Sequence, residues 1–205
     1  MARSTVSDPI RNFKFQVTIS PGTALATKAD GLDKIGFAVM SGLSVQNEMV
    51  GYREGGMNTH PHKFIGQSDF APVTFSRGVF ASQDQLYQWQ QFLHSWNQAS
   101  SGSDTGASGT GKKNDYRCDI FVKVFDHPVS AGSYANPGES DGTPTTPGDA
   151  RLGFKLFNCF PGAYSLSDLN AADSGLMVQQ MTIHHEGFVV AWNTTDVATL
   201  AGAGG

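Results

Sequence analysis

Apolar and polar side chains alternate with a period of two over one stretch of this chain after another, and that repetition constrains the fold more than any other feature. Between Arg11 and Ser20, Phe13, Phe15, Val17 and Ile19 share one face while Lys14, Gln16 and Thr18 share the other, which is the signature of a half-buried strand. The pattern returns where Leu43, Val45, Asn47 and Met49 oppose Ser44, Gln46, Glu48 and Val50, and again at Val73–Ser76. Over Tyr116–Phe125 it becomes apolar on both faces toward the end of the run, which predicts a central strand. It resumes at Phe154–Cys159 and closes at Met177–His185, where Gln179, Met181, Ile183 and His185 face away from Val178, Gln180, Thr182 and His184. Strands of this kind must each bury a face against another layer, so the expected fold is mainly β, an antiparallel barrel or sandwich.

One segment changes period. Ser82 and Gln85 form a capping-box pair, and Leu86, Trp89, Leu93 and Trp96 then recur on one helical stripe. The spacing predicts a single amphipathic helix over about residues 83–97, flanking the sheet and covering its core. The remaining stretches read as connections within one domain, residues 1–205. Residues 21–34, 98–114 and 126–150 are rich in Gly, Ser, Pro, Thr or Asp and are expected as flexible insertions, and 194–205 as a weakly ordered tail. Gly51–Gly66 holds neither period and is expected as a long protruding loop or bent hairpin, a type of segment that commonly binds something.

Charge narrows the function. The 14 Lys and Arg against 18 Asp and Glu are spread along the chain, leaving no basic stripe to track a phosphate backbone. No apolar run reaches bilayer length and no leader-like segment opens the chain, so cytoplasmic assembly without direct membrane insertion is expected. The two cysteines, Cys118 and Cys159, each fall in a strand-like run and are expected as buried thiols in a reducing compartment.

Four blocks, taken in order, resemble the tail-tube family shared by contractile phages, extracellular contractile injection systems and, more distantly, the Hcp tube proteins of type VI secretion. DPIRNFKFQVTI near the start resembles the family's opening strand, and SGLSVQNEMVGYREGG at 41–56 its most recognisable corner. FIGQSDFAPVTFSRGVF at 64–80 is similar to the return strand, and CFPGAYSLSDLNAADSGLMVQQMTIHHEGF at 159–188 to the closing block. The resemblance implies an Hcp-like inner-tube subunit of a phage tail or phage-tail-like particle, a structural protein and not an enzyme. It implies homohexameric rings stacked into a tube. The expected partners are a contractile sheath protein, baseplate or hub and tube-terminating proteins, and a protein effector or DNA cargo in the lumen.

Such an assembly assigns roles that can be placed on the sequence. Ring stacking needs a head-to-tail contact, for which Tyr52, Arg53, Glu54, Gly55, Gly56, His60 and His62 are the candidates, because Tyr and Arg anchor interfaces and paired glycines permit a tight reversal. By parity alone, Ser44, Gln46, Glu48, Gln180 and Thr182 are candidates for a lumen lining. His60-Pro61-His62 and His184-His185 lack a cluster of further ligands, and adjacent strand positions face opposite ways, so no metal or other cofactor is expected. No GxSxG elbow ties a base to a nucleophile, and no catalytic residue is assigned. The competing reading is a monomeric β-barrel that binds a small ligand in its interior.

Overall fold

The computed structural model describes residues 10, 12–56, 59–98, 116–125, 150–170, 174–192 and 194–202. Nine strands run β1 Phe15–Pro21, β2 Val39–Ser41, β3 Val45–Tyr52, β4 His62–Phe70, β5 Val73–Gly78, β6 Cys118–Phe125, β7 Ala150–Leu166, β8 Val178–His184 and β9 Gly187–Ala191. Three helices accompany them, α1 Thr23–Lys28, α2 Gln85–Gln98 and α3 Thr194–Gly202. The expected insertions at 98–114 and 126–150 fall, apart from Gln98 and Ala150, outside the described residues.

All strand pairs are antiparallel, and the 17-residue β7 is the spine. Its first half lies between β6 and β9, with β1 beyond β6; its second half pairs with β8, followed by β5 and β2. The changeover falls where Asn158 takes a φ of 52° and the β7–β8 register shifts between Pro161 and Ala163. Such irregularities bend a strand and let it serve two sub-sheets. Val17, Ile19, Ile120, Val122 and Leu156 from the first sub-sheet meet Val73, Phe75, Met181 and Ile183 from the second in one buried cluster. The alternation read from the sequence therefore sorts β1, β5, β6 and β8 correctly into inner and outer faces, whereas in β7 it sets Leu156 with Asn158 against Cys159, and the bend at Asn158 instead buries Cys159 in the same core as Leu156. The barrel does not close: among the described residues β1, β2 and β9 each pair along one side only.

Helix α2 covers this core as expected, with Leu86, Trp89 and Phe92 buried and Leu93 half-buried. The Trp89 indole N–H donates to the carbonyl of Tyr116 at 3.1 Å, which fixes the helix against the start of β6. The side chain of Trp96 lies outside the described residues. The helix starts at Gln85, because Ser82 sits in a left-handed turn at φ 63° and the carbonyl of Asp84 accepts the first helical bond, from Gln88.

Two segments differ from the expectation of loops, so the fold has more than one flanking helix. Within 21–34, α1 and a 3-10 turn at Leu32–Lys34 bury Leu25, Ala29 and Leu32. Leu25 lies on α1, Ala29 caps its end and Leu32 opens the 3-10 turn after the left-handed Gly31; their burial offsets the ordering cost that the Pro, Gly and Asp punctuation had suggested would go unmet. Within 194–205, α3 buries Val197 against the outer face of the first sub-sheet, beside Phe121, Ala150 and Ala191. Gly153 lies beneath it, where a Cβ would stand 3.1 Å from a Val197 methyl and would push the helix back slightly. The docking of α3 also explains why β6 is apolar on both faces.

Candidate assembly surfaces

Strands β3 and β4 pair only with each other and stand off the body as a separate two-stranded hairpin. Every residue of β3 is exposed. Of the two readings of Gly51–Gly66, the bent hairpin holds; alternation alone does not mark β4, because from His62 to Phe70 its apolar and polar residues do not alternate. The paired positions explain this: Met49 lies opposite Ile65 on one face, and Val50 lies opposite Phe64 on the other. Ile65 is 87% exposed and Phe64 56%. An isolated hairpin is marginal in water, and each large apolar side chain left in solvent forgoes about 1.5–3 kcal/mol of burial. The arrangement is that of an element made to be covered.

The hairpin is held firmly at its root. Gly42 has a φ of 94°, and a Cβ there would come within 2.6 Å of the Pro72 carbonyl oxygen, so only glycine suits the position. The ring nitrogens of buried His185 reach the carbonyls of Ala71 at 3.1 Å and Gly187 at 3.2 Å. Phe70 packs against His185 and Phe188, with ring centroids 5.7 and 5.9 Å apart. Above the root, Ser68 donates to Asn47 at 2.7 Å beside a register shift between Asn47 and Met49.

The candidate contact residues cluster at the other end of the hairpin. Tyr52 ends β3 and pairs in register with His62; Arg53, Glu54, Gly55 and Gly56 follow, all exposed, with Gly56 at φ 97°. His60 and His62 lie edge to face with centroids 6.0 Å apart, yet no cluster of three metal-ligating side chains exists among the described residues. His184 and His185 lie on opposite sides of the chain, His184 stacked on Phe160 and His185 buried at the hairpin root.

The five lumen candidates separate into two places. Gln180 and Thr182 lie on the outer face of the second sub-sheet, where they pair in register with Ser76 and Thr74 on one side and Ser165 and Ala163 on the other. That face is small and polar across three strands. Ser44 sits at the hairpin root, and Gln46 and Glu48 belong to the hairpin.

A second exposed apolar region lies at the far end of β5, and it was not legible in the sequence because its members are scattered along the chain. Phe80, Leu166, Leu169 and Leu176 are 58%, 48%, 83% and 90% exposed. Beneath Phe80 lies Arg77, which is only 3% exposed and whose guanidinium sits 5.4 Å from the Phe80 ring centroid. Arg77 Nη2 donates to Gln83 Oε1, but its Nε and Nη1 have no acceptor. Gln179, its register partner on β8, accepts from the Tyr164 hydroxyl at 3.1 Å and leaves Nε2 without an acceptor. Burial pulls the Arg77 guanidinium below its usual pKa, with Tyr164 acting in the other direction.

Between the free edges of β1 and β2 lies an apolar cleft of about 590 Å³, bounded by Phe13, Phe15, Met40, Val122, Val124 and Phe154. The cysteines are free and opposite each other in register, and burial pushes both thiols up, Cys159 to about 12. Thiols that stay protonated are poor nucleophiles. No helix among the described residues is long and apolar enough to cross a membrane.

The sequence profile of the family described as T4-like virus tail tube protein gp19 matches residues 11–189. Three solved structures share the fold. A chain of the extracellular contractile injection system PVC sheath-tube complex in its extended state is 19% identical, with 92% of this chain and 95% of that chain covered and a TM-score of 0.61. A chain of the six-fold symmetrised anti-feeding prophage baseplate is 14% identical over 91% of this chain and 97% of that one, with a TM-score of 0.60. A chain from the tube-terminating cap of the anti-feeding prophage is 20% identical over 94% and 99%, with a TM-score of 0.59. No curated protein matches the sequence.

Proposed function

The chain belongs to the T4-like virus tail tube protein family, and from that membership we propose that it is the inner-tube subunit of a contractile injection machine, each copy acting as one domain. Six copies close into a ring, and rings stack coaxially around a channel that carries a protein effector or DNA. A contractile sheath surrounds the tube, and baseplate and terminating proteins bound its ends. The role is structural, without catalysis, and the particle is assembled in the cytoplasm. The observation that carries this reading is the β3–β4 hairpin, which bears apolar register pairs on both faces and is left uncovered by the described residues of its own chain. A neighbouring copy removes both that exposure and the unpaired strand edges, as closed rings do for open sheets.

Within this reading, Tyr52, Arg53, Glu54, Gly55, Gly56, His60 and His62 form the contact between copies. The polar face bearing Gln180 and Thr182 lines the channel, while Ser44, Gln46 and Glu48 go with the hairpin into the contact. Electron microscopy of the purified protein tests the proposal: rings or tubes with an axial channel support it. A strictly monomeric protein that co-purifies with a small molecule in the β1–β2 cleft would replace it with the ligand-binding barrel. Tyr52→Ala and Arg53→Ala should leave folded subunits that assemble poorly, and tubes of normal length from both would remove the tip from the contact.

A further inference from the structure

Arg77 presents an unsolved problem to its own chain. It is a buried cation whose Nε and Nη1 lack acceptors, set opposite a Gln179 whose Nε2 also lacks one. Three donors and a positive charge thus converge with no acidic side chain paired to them among the described residues. Leaving a desolvated cation unpaired is costly, and supplying a hydrogen-bonded carboxylate relieves that cost. The acceptor has an approach, because the cover over Arg77 is the exposed ring of Phe80, and the exposed Leu166, Leu169 and Leu176 belong to the same end of the sheet, where β7 stops and β8 begins.

The chain carries a matching group at its opposite end. β5 leaves the hairpin root at Val73 and reaches Arg77 at its other end, while Glu54 stands past the end of the eight-residue β3, which spans roughly 26 Å at a strand's rise per residue. Glu54 is exposed, and nothing lies within 4 Å of the Cβ position at Gly55 or Gly56 beside it, so the tip is unobstructed. By contrast, Asp69 near the root already accepts from the Phe70 N–H. A donor at one end and an acceptor surface at the other make a heterologous contact that repeats without closing, which is what a stack requires.

We infer that the rim at the end of β5 receives the hairpin tip of a second copy in the adjoining ring, with Phe80 displaced and the incoming Glu54 carboxylate paired to Arg77 and Gln179. The exposed leucines of the rim then cover the apolar shoulders of the hairpin. This inference rests on the tube reading and names the acceptor surface that reading lacks.

Two variants and one cross-link test it on the full chain. Glu54→Gln should form rings but reduce tube mass at least tenfold in sedimentation and negative-stain images. Arg77→Met should do the same while the rings keep or raise their melting temperature, because it removes a buried charge that only the contact pairs; a purely structural arginine would not behave so. The double variant should be no worse than either single one, since both remove one interaction. Gly55→Cys with Leu169→Cys, oxidised in assembled tubes, should yield a covalent ladder running past six subunits, the native thiols being buried. Tubes of normal length from Glu54→Gln, or intact tubes whose ladder is absent or ends at six, would overturn the inference and leave the tube reading standing. Wild-type protein that never forms rings or tubes would remove the tube reading itself.

Discussion

The two-layer body and the β3–β4 hairpin are both built from antiparallel strands, yet they distribute apolar residues in opposite ways. In the body, Phe75, Met181 and Ile183 are at most 1% exposed while their neighbours Thr74, Gln180 and Thr182 turn outward. In the hairpin, neighbouring register pairs put Met49 with Ile65 on one face and Val50 with Phe64 on the other, all at least half exposed. A sheet with one dry face stabilises its own chain. A ribbon with two wet apolar faces contributes little until a neighbour arrives, so stability resides in the first region and assembly in the second.

The largest effect should follow from hollowing the body. Trp89 is fully buried and its indole N–H is bonded to Tyr116, so Trp89→Ala should cost about 3–5 kcal/mol in denaturant unfolding. Next comes the joint between the regions. Gly42→Ala forces an L-residue into φ 94° against the Pro72 carbonyl and should cost about 1–3 kcal/mol, with faster amide exchange spreading through β3 and β4. Were that exchange unchanged, the root would not control the hairpin. Ile65→Thr should move stability by less than about 0.5 kcal/mol, as for an exposed site, yet impair tube formation. A clear drop in melting temperature of the unassembled subunit would break the comparison, for it would mean that the hairpin already packs within its own chain.

The same division governs what could be read from the sequence. Alternation exposed β1, β6 and β8 because water on one side and the core on the other impose a period of two on them. It missed β4, where both faces are apolar and neither is buried by the chain, so no solvent boundary imposes a period. The short α1 and its following 3-10 turn, with Leu25, Ala29 and Leu32 buried, were hidden among the Pro, Gly and Asp residues that flank and interrupt them, and α3 was hidden by its Ala, Thr and Gly content, although Val197 gives it a buried anchor. The tip residues Tyr52 to Gly56 stood out as types suited to contacts, whereas the rim of Phe80, Leu166, Leu169 and Leu176 is assembled from two separate stretches and exists only after folding. The buried state of Arg77 was likewise invisible, since Arg-Gly at the end of a strand reads as a simple stop.

The smallest expected effect lies on the border between the two regions. Glu186 sits between β8 and β9, next to His185 at the hairpin root, and its carboxylate accepts from Arg117 Nη1 and, at 2.6 Å, from Asn158 Nδ2 at the bend of β7. Those two donors, Arg117 first, hold the Glu186 carboxyl below its ordinary pKa. A depressed carboxylate stabilises the fold above the ordinary glutamate range, and that contribution is lost as pH falls through the depressed value. Because Glu186 is exposed and its pairing is screened by solvent, the loss should be slight, and Glu186→Gln should flatten the acid limb of the stability curve while leaving neutral pH almost unchanged. If the variant instead loses hairpin protection at neutral pH, the clip across the β7 bend holds the root as firmly as His185 does, and the border belongs to the hairpin more than to the body.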